Sequence, residues 1–364
     1  MIFFVLILLL IVFSSATVAK PNEFHRDYLS KDKSNAIKGV FVILILLSHG
    51  KSYLELGGIY DDPYLALQKH LNQMVVVMFL FYSGYGMMEQ IKKRDFDYIK
   101  SIPKKRFPNL LLNFDLAVML FVILRLLMGK PLQLKTVLLS FLAWESVGNS
   151  SWYIFVVLAL YVLICIAFLP IKWVKKPWGK FVSILILTAL AVGLVYLFIA
   201  IGKEKRYYNT LMTLVLGFWY SYFHDRIEKI LFKNDIVYTV AVAAVLAVYM
   251  VFFRKRWDGI EYYTVWAICF TLLTVLFTMK ISVNSTVLKW FGEHVFSIYI
   301  LQRLPMIVFS NMSFFKGHKY LFLISSYVVT IAIALIFDYV TGKLSGLIWK
   351  PKKQISKPAE SGGK

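Results

Sequence analysis

Cysteine is nearly absent from this chain of 364 residues, which contains only Cys165 and Cys269. Both lie within apolar runs and are far apart in the sequence. Two thiols in such positions suggest neither a disulfide framework nor a thiolate metal site. We therefore expect both cysteines to pack in the interior, and we predict no metal in the site.

Acidic residues are also scarce, with 20 Asp and Glu against 41 Lys and Arg, which gives a net charge of +21. Such an excess could indicate a nucleic-acid partner. Nucleic-acid binding needs a solvated basic surface, however, and no segment of the chain is both long and polar enough to form one. The basic residues are confined to short connections and to the end of the chain, so we predict no nucleic-acid partner.

Apolar residues dominate: 59% of the chain is hydrophobic and only 17% is charged. A helix needs about 20 apolar residues to cross the hydrocarbon layer of a bilayer. Eleven stretches are near that length: 2–19, 36–53, 73–91, 108–128, 152–171, 181–201, 208–223, 236–253, 262–279, 291–309 and 320–340. The sequence therefore predicts an all-α, polytopic helical bundle in a lipid bilayer, with about ten core transmembrane helices.

Two further segments need separate interpretation. Residues 1–19 are predicted to form an extra N-terminal transmembrane helix or a signal-like segment. The uncleaved helix is favoured, because no basic residue precedes the apolar run as it does in a signal peptide. The apolar stretch 136–144 is too short to span, so it is predicted to be re-entrant or interfacial. The main domain is predicted over 30–342, followed by a basic cytoplasmic tail over 343–364.

Orientation follows from the basic residues in alternate connections. One set of connections carries 27 Lys and Arg and the other set carries 12. Cytoplasmic loops are enriched in basic residues, which predicts that the first set and the C-terminus are cytoplasmic. The connections lie on alternate sides of the membrane in this way only if residues 136–144 do not cross it.

Ionisable side chains at membrane depth are costly and mark functional candidates. Five side chains qualify: His49, Asp115, Glu293, His294 and Arg303. His49 stands eleven positions after Lys38, which places both on one helix face about 16 Å apart. One elongated ligand could therefore contact both side chains. The alternatives are that Lys38 is an ordinary interfacial cation and that His49 is a histidine that packs within the bundle.

Five segments in order resemble the motifs of the integral-membrane acyltransferase-3 superfamily. They are Lys38 with His49, the run Phe79 to Gly86, Lys104 to Pro108, Ser151 to Phe155, and Phe291 to Arg303. The chain departs from the family pattern where Asn109 follows Arg106 by three positions, because the family often has a second arginine there. It departs again at Gln302, where many relatives have histidine.

The resemblance implies an O-acyltransferase that moves an acyl group, commonly acetyl, from cytoplasmic acyl-CoA to a hydroxyl of a cell-surface or lipid-linked carbohydrate. It implies a multi-pass protein of the plasma membrane, which in a bacterium is the inner membrane. Cations at the cytoplasmic side would hold the phosphates of coenzyme A: Lys38, Lys104, Lys105 and Arg106. His49 is the predicted catalytic residue, either as a general base or as a transient carrier of the acyl group.

The remaining candidates have weaker signals. Tyr82 and Ser83 are predicted to line a substrate tunnel, although the adjoining Ser-Gly and Tyr-Gly pairs are more typical of close helix packing. Asp115 would orient His49 or pair with a cation, or would simply hydrogen-bond within the bundle. Trp152 offers a stacking face for a sugar, and an interfacial anchor is the simpler interpretation. Arg303 is predicted to line the tunnel or to form an ion pair.

The main alternative is a multi-span exporter or flippase of lipid-linked saccharides, which would also place cations and aromatics along a pathway. An exporter needs a continuous polar route across the membrane, whereas an acyltransferase needs a tunnel for a thioester that meets a histidine. The spacing of Lys38 and His49 favours the enzyme.

Overall fold

The computed structural model describes residues 1–174 and 178–348. Over these residues the chain forms fifteen α-helices and two strands of three residues each. The first eight helices are α1 (Ile2–Ser14), α2 (Lys31–Gly50), α3 (Asp62–Leu71), α4 (Val77–Ser101), α5 (Phe107–Leu127), α6 (Leu134–Phe141), α7 (Ser151–Ala167) and α8 (Trp178–Ala200). The other seven are α9 (Met212–Leu231), α10 (Asp235–Lys255), α11 (Ile260–Lys280), α12 (Thr286–Glu293), α13 (Val295–Leu301), α14 (Arg303–Ser310) and α15 (Lys319–Ile348). The strands are β1 (Ala16–Val18) and β2 (Ile281–Val283).

Seven helical segments of the described residues are long and apolar enough to cross a membrane, and one of them, residues 62–127, combines α3, α4 and α5. The predicted all-α membrane bundle is therefore confirmed, while the count of ten core spans stays a prediction. The predicted tail begins inside α15, which continues to Ile348, and its residues from 349 onward lie outside the described part of the chain. Cys165 and Cys269 are unbridged, and Cys269 is buried.

The first apolar run is a shorter helix than predicted. Helix α1 ends at Ser14 and the chain continues as β1, which pairs antiparallel with β2. The β-branched residues Thr17 and Val18 favour an extended strand over a helix. At the other end of α1, the main-chain nitrogen of Ile2 donates a hydrogen bond to the carbonyl oxygen of Tyr60. A helix followed by a strand therefore connects the two ends of the bundle.

Contacts between connections group them at two ends of the bundle, as the charge pattern predicted. At one end, which we call the basic end, Lys289 pairs with Asp32 at 2.8 Å and Lys180 pairs with Asp95 at 2.9 Å. At the opposite end Lys319 pairs with Asp61 at 2.7 Å. These pairs join segments that the sequence placed on the same side of the membrane.

The stretch 136–144 does not cross the bundle. Helix α6 has eight residues, and the segments on both sides of it meet because Arg125 Nε donates a hydrogen bond to the carbonyl oxygen of Val147 at 2.8 Å. Leu134, Leu138 and Leu142 are exposed. An apolar stripe on a short helix that leaves and returns at one end is typical of an interfacial or re-entrant segment, as predicted.

Helix α2 is held against α12 by two glycines. A Cβ on Gly39 would overlap the carbonyl oxygen of Leu288, and a Cβ on Gly292 would overlap the carbonyl oxygen of Asn35. Small residues at such points let two helix backbones approach closely in a membrane. The α2–α12 contact therefore fixes the rotation of α2 and hence the direction of its functional side chains.

We expect Gly39→Ala to lower the free energy of unfolding by about 1–3 kcal/mol, because overpacking a close contact forces the backbone to shift. Gly193→Ala is the matched control, since Gly193 is an exposed position of α8 with no atom within 4 Å of an added Cβ. The control should be neutral or slightly stabilising, because alanine favours helix more than glycine. Thermal unfolding in one detergent measures both variants, and equal melting temperatures would contradict the close-packing role of Gly39.

Candidate active site

A cavity of about 1030 Å³ lies among α2, α4, α5, α7 and α13. Along α4 its lining runs from Val76, just before the helix, to Ser101 at the basic end. The cavity therefore extends through much of the depth of the bundle and is long enough for an elongated ligand.

Six basic side chains line the part of this cavity at the basic end: Lys31, Lys38, Lys93, Arg94, Lys105 and Arg106. Among the described residues one acidic side chain, Glu89, lines it. The Glu89 carboxylate is already occupied, since it pairs with Lys92 at 2.8 Å and accepts a hydrogen bond from Ser221 Oγ at 2.7 Å. The cavity entrance is therefore strongly positive, which suits phosphate groups.

Tyr98 organises two of these cations. The guanidinium groups of Arg94 and Arg106 lie 5.7 and 5.5 Å from the centroid of its ring. Cation–π attraction stabilises an arginine at such a position without using its N–H donors. Both arginines can thus face the cavity with most of their hydrogen-bonding groups available to a ligand.

The deeper part of the cavity is aromatic and apolar. Tyr82, Tyr153 and Tyr299 line it together with aliphatic side chains such as Ile154 and Val157. The Tyr82 hydroxyl is buried and has no hydrogen-bond partner among the described residues. An unpaired buried hydroxyl of this kind can hydrogen-bond an amide or carbonyl of a ligand.

His49 lies in the last turn of α2, beyond this aromatic part. Its ring centroid is 6.3 Å from that of Tyr299, which lines the cavity. Tyr299 also packs edge-on against Tyr153 at 5.5 Å, and its hydroxyl donates to the carbonyl oxygen of Ser150 at 3.2 Å. Tyr299 therefore stands between the cavity and the histidine.

The imidazole of His49 has a buried Nδ1 with no hydrogen-bond partner in the described part of the chain. Lys38, eleven residues earlier on α2, lines the cavity near its basic end. Eleven residues correspond to about 16 Å along a helix. Lys38 and His49 therefore lie on one helix at two depths of the bundle. The aromatic part of the cavity and Tyr299 lie between these two depths.

The Ser-Gly pair of α4 combines both predicted roles. Ser83 lines the cavity, whereas a Cβ on Gly84 would overlap the carbonyl oxygen of Leu214 on α9. Gly86, in contrast, has open space beside it and lines the cavity. The prediction of close helix packing is therefore confirmed at Gly84 and is wrong at Gly86.

Five of the predicted site residues are not among those that line the cavity: His49, Lys104, Asp115, Trp152 and Arg303. Lys104 is exposed at the basic end, next to the lining residues Lys105 and Arg106. Trp152 packs against Tyr153 and Tyr207 with ring centroids 5.8 and 6.5 Å apart. Asp115 Oδ1 is buried without a hydrogen-bond partner among the described residues, as is His49 Nδ1, so these two atoms do not bond to each other.

His294, another ionisable residue of the predicted spans, has a structural partner. Its Nδ1 donates a hydrogen bond to Asp338 Oδ2 on α15 at 2.5 Å, and Ser297 Oγ donates to the other oxygen of the same carboxylate. This arrangement joins α12 and α13 to α15. The predicted span 291–309 is correspondingly broken at His294 and Gln302 into three helices.

Sequence reasoning missed several lining residues. Lys31, Lys93 and Arg94 were counted only as charges in connections, and Tyr153 and Tyr299 only as parts of motifs. The sequence does not indicate that these side chains meet in one cavity, because they lie on four different helices. Within the described ranges, no group of three His, Cys, Asp or Glu side chains is placed to hold a metal ion.

A polytopic helical bundle in which a positively charged cavity extends toward a half-buried histidine defines a membrane protein that can bind an elongated anionic ligand. The chain belongs to the acyltransferase-3 family, since the model of that family, described as an acyltransferase domain, matches residues 32–339. It is a multi-pass membrane acyltransferase, as the sequence motifs indicated. Comparison with curated proteins and with solved structures found no match.

Proposed function

We propose that the protein transfers an acyl group, most simply acetyl, from acyl-CoA to a hydroxyl of a cell-surface or lipid-linked carbohydrate. The observation that carries this proposal is the cavity itself, with six cations at one end and Tyr299, in contact with His49, at the other. Coenzyme A has its phosphates at one end and its thioester at the other. The cations at one end of the cavity would face the phosphates of the donor, and the aromatic end next to His49 would face the thioester.

In this proposal the cations hold the phosphate and pyrophosphate groups, with Lys38 and Arg106 as the principal contacts. The thioester arm then extends along α4 past Ser83 and Tyr82, and the unpaired Tyr82 hydroxyl donates to the arm. Because Tyr299 separates the cavity from His49, its side chain has to move aside before the thioester carbonyl meets the imidazole.

At His49 the chemistry balances in two ways. As a general base, the imidazole takes the proton of the acceptor hydroxyl while that oxygen attacks the thioester carbonyl, the carbon–sulfur bond breaks, and the CoA thiolate recovers the proton. As a carrier, the imidazole attacks the thioester carbonyl, and the carbon–sulfur bond breaks to release CoA thiolate. The acceptor hydroxyl then attacks the acyl-imidazole, the carbon–nitrogen bond breaks, and the hydroxyl proton passes to the thiolate. Both routes yield the same products, an O-acyl ester and free CoA.

We infer that the basic end faces the cytoplasm, so that the donor binds from inside and the C-terminus is cytoplasmic. In a bacterium this places the protein in the inner membrane, with the acceptor approaching from the opposite end. The excess of basic residues in the connections at the basic end supports this orientation.

The test uses the purified full-length protein in sealed vesicles with acetyl-labelled acetyl-CoA and a panel of soluble saccharides. We expect release of CoA and labelled saccharide when the donor reaches the basic end, and His49→Gln provides the inactive control. Transport of saccharide without any acylation would support an exporter instead. Turnover only when the donor is on the other side would refute the proposed orientation while leaving the transferase intact.

A further inference from the structure

Arg303 has an unusual environment for an arginine at membrane depth. It begins α14, four residues after Tyr299, and its Nε donates a hydrogen bond to the Tyr53 hydroxyl at 3.1 Å. No carboxylate of the described residues lies within ion-pair distance of its guanidinium group. A membrane arginine without a counter-ion is costly, and it marks a ligand path more often than a packing position.

Two contacts place Arg303 close to His49. Its partner Tyr53 follows His49 by four residues, and Tyr299, four residues before Arg303, has its ring centroid 6.3 Å from that of His49. The bond to Tyr53 is the hydrogen bond that Arg303 makes with the described residues. Carboxylates commonly orient a reacting histidine, but here the described neighbours supply positive charge instead.

The donor does not provide the missing negative charge at this position. Its phosphates are assigned to the cations of the basic end, about 16 Å from His49 along α2, and the thioester itself is neutral. A negative group beside Arg303 therefore belongs to the second substrate. Two of the guanidinium nitrogens of Arg303 make no hydrogen bond to the described residues, and such a fork matches the geometry of carboxylate and phosphate oxygens.

We propose that the acceptor is anionic: the hydroxyl that receives the acyl group belongs to a sugar or polyol that carries a carboxylate or phosphate, and Arg303 binds that group. This inference rests on the proposed transfer function and specifies its acceptor class. Binding the anion at Arg303 would hold the hydroxyl beside His49. The charge itself takes no part in bond making, so the transfer step remains the one described above.

The experiment compares matched acceptors with the purified protein in nanodiscs and labelled acetyl-CoA. One pair is glucuronic acid and glucose, and the other is glycerol 3-phosphate and glycerol. We expect the anionic member to have a kcat/KM about tenfold to a hundredfold higher, as for a hydrogen bond to a charged group. Whichever pair shows the preference identifies the anion as a carboxylate or a phosphate.

Arg303→Gln should reduce the preference for the anionic acceptor to near one, and Arg303→Lys should retain part of it. Lys316→Gln is the matched control, because Lys316 is an exposed lysine at the same end, in the connection between α14 and α15. We expect this control to keep the full preference. Donor binding at the basic end reports whether each variant is folded.

Equal rates with charged and neutral acceptors in the wild type would overturn the inference while leaving the transferase standing, and this result does not depend on any variant folding. An equal loss for both acceptors in Arg303→Gln would also overturn it, since Arg303 would then stabilise the oxyanion of the intermediate. Absence of acyl transfer to every acceptor, with no release of CoA, would reject the proposed function itself.

Discussion

Replacing His49 with glutamine is expected to lower the turnover of acyl transfer by about 10²- to 10⁴-fold, the usual contribution of a positioned proton-transfer group. Glutamine keeps a hydrogen-bonding side chain but cannot accept a proton or carry an acyl group at neutral pH. Donor binding should be nearly unchanged, because the cations proposed to hold CoA are at the other end of α2. The loss should therefore appear in kcat rather than in the affinity for the donor.

His70→Gln is the matched control, since His70 is at the same end of the bundle but packs against α10, whereas His49 packs against Tyr299. The His70 ring stacks on Phe253 with centroids 4.0 Å apart, and its Nδ1 lies 3.3 Å from the Tyr249 hydroxyl. This control should keep its turnover per folded molecule. Wild-type turnover in His49→Gln would contradict both proposed roles of His49. If the loss of activity in this variant is fully accounted for by a loss of folded protein, His49 only packs.

A second measurement on the same protein separates the two roles. Incubation with labelled acyl-CoA in the absence of acceptor should leave label on His49 if the imidazole carries the acyl group. No label under conditions that support turnover would favour the general base, because that route forms no acyl-enzyme.

Lys38→Ala and Arg106→Ala are each expected to weaken binding of a non-hydrolysable acyl-CoA analogue by about tenfold to a hundredfold. A hydrogen bond to a charged group typically contributes about 1.5–3 kcal/mol. Wild-type binding should also weaken as salt rises, because screening shortens the range of the field at the cavity entrance. Titration of the analogue into nanodiscs at two salt concentrations measures both effects.

Lys100→Ala controls for net charge in this experiment. Lys100 is an exposed lysine on the same end of α4, it pairs with Asp97 at 3.6 Å, and it does not line the cavity. Its replacement should change the affinity by less than about twofold, as expected for an exposed ion pair. If neither Lys38→Ala nor Arg106→Ala affects binding, or if all three variants lose affinity equally, the cavity is not the CoA site.

The sequence alone determined the features that depend on local periodicity and composition. Apolar runs of span length predicted the helical membrane bundle, and the shortness of 136–144 predicted a segment that does not cross. The eleven-residue spacing of Lys38 and His49 placed both on one face of α2, because a helix repeats every 3.6 residues. The motifs that contain these residues also indicated the acyltransferase family, which the match over residues 32–339 shows.

Other features depended on how distant helices pack, and only the tertiary structure decided them. Lys31, Lys93 and Arg94 join Lys38 and Arg106 in one cavity because α2, α4 and α5 meet there. The position of Tyr299 before His49 follows from the packing of α13 against α2, next to the α2–α12 contact that Gly39 and Gly292 permit.

The difference has a physical origin. Hydrophobic periodicity states which face of a helix avoids water, but in a bilayer lipid and neighbouring helices are both apolar, so the pattern does not specify the neighbour. Close backbone contacts and buried hydrogen bonds select it instead. For this reason the sequence located the histidine and the cations of the proposed site, whereas the shape of the cavity and the lack of a carboxylate partner for Arg303 among the described residues came from the assembled bundle.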